Sequence, residues 1–144
     1  MSNEIRVTAS LSVNKGNLRY QNQGNAFLAD MAGNRGQVPG GLTVPAGGRY
    51  VSFDDLTSPG WCLITNVETA DSDAYVEWGL YDPSADQFWP VGELLPGESC
   101  VLRLSRNLLE QYEGTGTGTT APVMHFFMKA PAGDCNVVVN AFEA

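Results

Sequence analysis

The chain has 144 residues, a formal net charge of −8 and an apolar fraction of 43%. That length suits one core, burying about 68–70% of the unfolded surface without help from a disulfide or metal. The composition excludes a disordered chain, and no apolar run approaches the roughly 20 residues that cross a bilayer as a helix.

A single domain over 1–144 is therefore expected, and its elements follow in chain order. From Ile5 to Val13 the apolar residues fall on every second position, the period of a strand with one apolar face. Asn14-Lys15-Gly16-Asn17 has the chemistry of a tight turn, and Leu18 to Gln21 return as a second strand. From Asn22 to Gly48 the composition turns to Gly, Asn, Gln and Pro. Phe27 and Leu28 are the strong apolar residues within it. A stretch of this length with little periodicity predicts an extended arm or long loop.

Arg49 to Phe53 reads as a short strand. Trp61 to Asn66 reads as a buried one, its continuous apolar run implying cover on both faces. Ala74, Val76, Trp78 and Leu80 alternate again, and Asp82 to Asp86 form an Asx-type turn leading to Gln87–Val91. Leu95-Pro96-Gly97-Glu98 is a turn with Pro fixing φ and Gly taking the left-handed position. The strand that follows points Cys100, Leu102 and Leu104 to one face. Asn107 to Tyr112 predict one helical turn, and Gly114 to Thr120 a linker-like tip. Val123–Lys129 and Asn136–Phe142, with Val137, Val139 and Ala141 in phase, close the chain. About eight short strands with turn chemistry between them predict an all-β fold, an antiparallel β-sandwich of jelly-roll type.

The residues offer little for catalysis. Cys62, Cys100 and Cys135 are odd in number, contain no Cys-x-x-Cys pair and sit in apolar strands, so buried free thiols are expected. His125 is the one histidine. It lies within a strand in phase with Val123 and Phe127, where a core or half-exposed histidine is expected rather than a catalytic base, and one histidine cannot make a multi-histidine metal centre. Asp54-Asp55 and Asp71-Ser72-Asp73 lack EF-hand spacing and suit turns. No enzyme activity and no cofactor are expected.

Charge is uneven along the chain. Residues 1–50 carry five basic side chains against two acidic, and residues 51–144 carry three against fourteen. A polyanion is repelled by the larger part, so nucleic acid is not an expected partner. The acidity keeps the domain soluble; alternatively the basic N-terminal third docks on an acidic neighbour such as another copy of the chain. The opening Met-Ser-Asn-Glu-Ile-Arg has no basic region followed by an apolar run, so synthesis in a cytoplasm is expected.

Asn66, then Tyr75-Val76-Glu77-Trp78-Gly79, Phe88-Trp89-Pro90, Leu95-Pro96-Gly97-Glu98, Leu102-Arg103-Leu104 and Thr120-Ala121-Pro122-Val123 occur in this order. The ordered set resembles small β-rich structural proteins of tailed bacteriophages, over roughly residues 60–130. Residues 22–48 and 134–142 lie outside the pattern. The resemblance implies a non-enzymatic virion protein, made in the host cytoplasm and carried on the capsid surface as a head decoration or cement protein. Its partners would be the phage major capsid protein and copies of itself in a homo-oligomer such as a trimer. The 22–48 arm is then the expected contact, with Phe27 and Leu28 as apolar anchors and Arg35 and Arg49 facing carboxylates of an acidic neighbour. The alternative is a carbohydrate- or receptor-binding module on a tail, neck or fibre. It requires Trp89, Tyr81 or Tyr112 to be exposed as a stacking surface.

Overall fold

A computed structural model describes residues 4–22, 24, 26–105 and 124–144. Twelve strands lie among the described residues rather than the expected eight, and there is no helix among them. The first four are short: β1 (Ile5–Thr8), β2 (Ser12–Lys15), β3 (Leu18–Gln21) and β4 (Ala26–Ala29). The next four are β5 (Gly36–Val44), β6 (Arg49–Tyr50), β7 (Pro59–Asn66) and β8 (Val76–Asp82). The last are β9 (Gln87–Leu94), β10 (Ser99–Arg103), β11 (His125–Lys129) and β12 (Cys135–Glu143).

Two four-stranded antiparallel sheets form the sandwich, ordered β10-β7-β12-β5 and β6-β11-β8-β9. From β5 onward the chain changes sheet at every connection except the β8–β9 hairpin. Each sheet is therefore assembled almost wholly from strands distant in sequence. The expected all-β sandwich is realised by this interleaving.

Alternation is realised most fully in β12, where Cys135, Val137, Val139 and Ala141 are all buried on the inner face. Cys62 and Ile64 of β7 and Val44 of β5 join them. Val76, Phe126, Met128 and Leu94 close the core from the other sheet. Trp78 points to this core as expected. It stacks on Phe126 with ring centroids 6.1 Å apart, opposite Gly92 in the ladder. A Cβ at Gly92 would lie 2.7 Å from the indole, so the glycine makes the room that the tryptophan fills. Leu104 is buried, and Leu102 packs against the core from a half-buried position.

Three expectations need correction. Residues 5–13 are not one strand: the chain leaves β1 after Thr8 and re-forms as β2, and Val7 alone of the alternating set is buried. A two-residue period specifies an apolar face without specifying what that face meets. Residues 22–48 are not an arm throughout. β4 pairs with β1, and β5 is an edge strand of the sandwich laid along β12, with Val44 fully buried. There Gly40 and Gly41 oppose Val139 and Val138. The backbone supplies the ladder, and β12 supplies the apolar surface that the glycine-rich strand lacks. Finally, β7 is covered on one face more than the other: Cys62 and Ile64 are buried, whereas Leu63 on the outer face is exposed. The predicted helical turn at 107–112 and the tip at 114–120 lie outside the described residues.

Candidate functional site

Two surfaces stand apart from the core. The first is built from the N-terminal strands. β1 and β4 form a two-stranded ribbon, in which Phe27 pairs with Val7 and Leu28 with Arg6. Phe27 lies against Trp61 of β7 with centroids 5.1 Å apart, and the Arg103 guanidinium sits 5.5 Å above the same indole. This side of the ribbon is thus seated on the outer face of its own sandwich. A cavity of about 350 Å³ remains beneath it, lined by Ile5, Val7, Trp61, Leu63, Val101 and Phe142 among others. Leu28 lies on the opposite side of the ribbon and is 55% exposed.

Between β1 and β4 the chain makes the β2–β3 hairpin. Among the described residues β2 and β3 pair only with each other. Val13 stands opposite Tyr20 and Lys15 opposite Leu18, and the Asn22 amide donates to the Leu11 carbonyl at 2.9 Å. Leu11, Val13, Leu18 and Tyr20 therefore share one face together with Lys15, while Ser12, Asn14, Arg19 and Gln21 share the other. The apolar face is open: Leu11, Leu18 and Tyr20 are 60%, 62% and 53% exposed. An isolated two-stranded hairpin is at best marginally stable in water. Lys15 and Arg19 give it positive charge with no acidic residue between Leu11 and Gln21.

The second surface is on the outer face of the β6-β11-β8-β9 sheet, the face that a water-exposed antiparallel sheet ordinarily gives to polar side chains. Here Tyr50, Tyr81, Phe88 and Phe127 come together. Tyr81 stacks on Phe127 at 4.7 Å, and Tyr50 meets both rings edge-on at 5.7 and 5.5 Å. Phe88 packs against Phe127 at 5.2 Å, and His125 lies 4.8 Å from Tyr50. The β8–β9 turn is locked by Asp82, whose Oδ1 accepts from the Ser84 amide at 2.9 Å and the Ser84 hydroxyl at 2.6 Å. The Ser84 hydroxyl is the chief reason that the Asp82 carboxyl is held below its usual range. This turn puts Asp86 in the left-handed region at φ 48°, which Asp tolerates better than most residues. The Tyr81 hydroxyl donates to the Asp86 carboxylate. That bond, ahead of burial, pushes the phenol up to about 12.

The four residues expected at a partner interface are not brought together. Phe27 and Leu28 are on the ribbon. Arg35 is engaged within its own chain: its guanidinium donates to the Asp55 carbonyl at 3.0 Å and its amide to Glu143 Oε2 at 3.4 Å. Arg49 is on β6 in the other sheet, with Nη1 donating to the Thr43 carbonyl at 3.3 Å. Of the expected stacking residues, Trp89 is 47% exposed and Tyr81 half-buried, while Tyr112 lies outside the described residues. Sequence reasoning missed the aromatic cluster because its rings come from β6, β8, β9 and β11. Its one local signal is the pairing of Tyr50 with Gly47-Gly48 just before it. Cys62 and Cys135 are buried, and burial pushes their thiols up to about 12 and 11. Among the described residues no group of three or more His, Cys, Asp or Glu side chains is placed to hold a metal ion.

Comparison with protein-family models, curated proteins and solved structures finds no similar protein.

Proposed function

We propose that this protein is a non-enzymatic structural component of a tailed-phage virion, attached to the assembled head as a decoration or cement protein. The observation that carries the reading is the β2–β3 hairpin, an amphipathic ribbon whose apolar face stands open among the described residues. Such an element gains from a partner what it lacks alone: apolar surface to bury, at about 25 cal/mol per Å². Lys15, on this same face opposite Leu18, suits an acidic surface, either of the major capsid protein or of a neighbouring copy, whose residues 51–144 carry the excess of carboxylates. On a shell, many copies of one modest interface add through avidity, so each contact can be small. The ordered motifs over roughly residues 60–130 supply the link to phage structural proteins.

Quantitative mass spectrometry of purified particles tests the assignment. A copy number commensurate with that of the major capsid protein is expected. A few copies per particle would place the protein on the tail, neck or fibre instead, and absence from particles would remove the virion reading.

A further inference from the structure

We propose that the aromatic face of the β6-β11-β8-β9 sheet is a saccharide-binding groove, with Tyr50 as its stacking platform. The groove has a volume of about 530 Å³, within the range of pockets that take small organic ligands. Its floor is Phe127, buried beneath the tyrosines, and Tyr50 rises at its edge with 44% of its surface exposed. Gly47 and Gly48 form one wall. Gly48 has φ 84°, and a Cβ there would lie 2.2 Å from the Phe127 ring, so only glycine lets this backbone approach the aromatic floor. Asp86, Arg49 and Lys129 also line the groove.

This mixture selects the ligand class. A purely apolar protein segment laid here would strip water from a carboxylate, a guanidinium and an ammonium without giving them partners, which is costly. A pyranose has an apolar C–H face to set against Tyr50 and a rim of hydroxyls that both donate and accept. Asp86 can accept from those hydroxyls, and Arg49 and Lys129 can donate to them. Asp86 is preorganised for this role by the β8–β9 turn and by the Tyr81 hydroxyl, so little ordering remains to be done on binding. The inference concerns the free protein and does not rest on attachment to a head.

The test uses the full chain on an array of neutral and uronate-containing oligosaccharides, followed by calorimetric titration of the best-bound trisaccharide. Capture of at least one pyranose oligosaccharide is expected. Tyr50→Ala should weaken it about tenfold or more through loss of the stacking face, with an unchanged circular dichroism spectrum. Asp86→Asn should weaken it as well, whereas Tyr81→Phe, which keeps the ring, should weaken it less than Tyr50→Ala. Absence of any captured saccharide would overturn the proposal, as would capture undiminished in Tyr50→Ala. A change of oligomeric state in Tyr50→Ala, seen by light scattering, would also overturn it by showing the groove to be a contact between copies.

Discussion

Asn66 Nδ2 donates to the Leu94 carbonyl at 3.0 Å and so ties β7 of one sheet to β9 of the other through the middle of the sandwich. The same amide donates to the Ala74 carbonyl at 3.1 Å, and Oδ1 accepts from the Glu68 amide at 3.0 Å. The side chain is completely buried, and three backbone groups depend on it. Asn66→Ala should cost about 3 kcal/mol, because a buried polar group left without a partner loses roughly 1–3 kcal/mol. Urea denaturation of the variant measures this; an unchanged midpoint would mean that water replaces the amide.

Trp78 and Gly92 form a second matched pair, large against absent. Trp78→Ala should destabilise by about 3 kcal/mol, at the lower end for a large aromatic because the indole is half-buried. Gly92→Val should also destabilise, since its Cβ would enter the indole's space. Thermal melts of both variants check the register of β8 against β9.

Acid should weaken the fold through two carboxyls. Asp82 is held below its ordinary range first by the Ser84 hydroxyl, and Glu143 first by the Thr57 amide, which donates to Oε1 at 2.9 Å. A depressed native pKa contributes stability above the unfolded value, near 4 for these groups, and that contribution is lost as the pH falls through the native one. Melting temperature should therefore fall below about pH 4. Glu143→Gln should be less stable than the parent at neutral pH and approach it in acid, and parallel pH profiles would contradict this.

The thiols should react in order of burial. Cys100 is half-buried, whereas Cys62 and Cys135 are buried and held protonated. Iodoacetamide at pH 8 should label Cys100 first and leave the other two until the protein unfolds. Peptide mapping reads the order directly, and early labelling of Cys62 would mean that β7 opens locally.

The hairpin and the Gly-rich segment should behave in opposite ways. Leu18→Asn with Tyr20→Ser should leave the melting temperature almost unchanged, because these side chains are exposed on a ribbon outside the core, yet should abolish binding to particles stripped of the protein. Deleting residues 22–48 removes β5 and Val44 and should prevent folding. Binding that survived the double substitution would exclude the hairpin as the contact.

The sequence by itself determined the class of fold and the inward face of its alternating strands. Val137, Val139, Ala141 and Val76 were legible as inward-facing because burial of one face imposes a two-residue period wherever a strand lies on a core. Turn residues located the β8–β9 and β9–β10 connections for the same local reason. Tertiary structure alone decided where the alternation of Ile5 to Val13 would go, since an apolar face on an isolated hairpin and one on a core have the same pattern. It also decided that glycine-rich residues 36–44 become a strand, because their ladder and their apolar cover both come from β12, nearly a hundred residues away in the chain. Tyr50, Tyr81, Phe88 and Phe127 converge for that reason too: contacts between distant strands leave no spacing in the chain, and only the register of four strands puts these rings side by side.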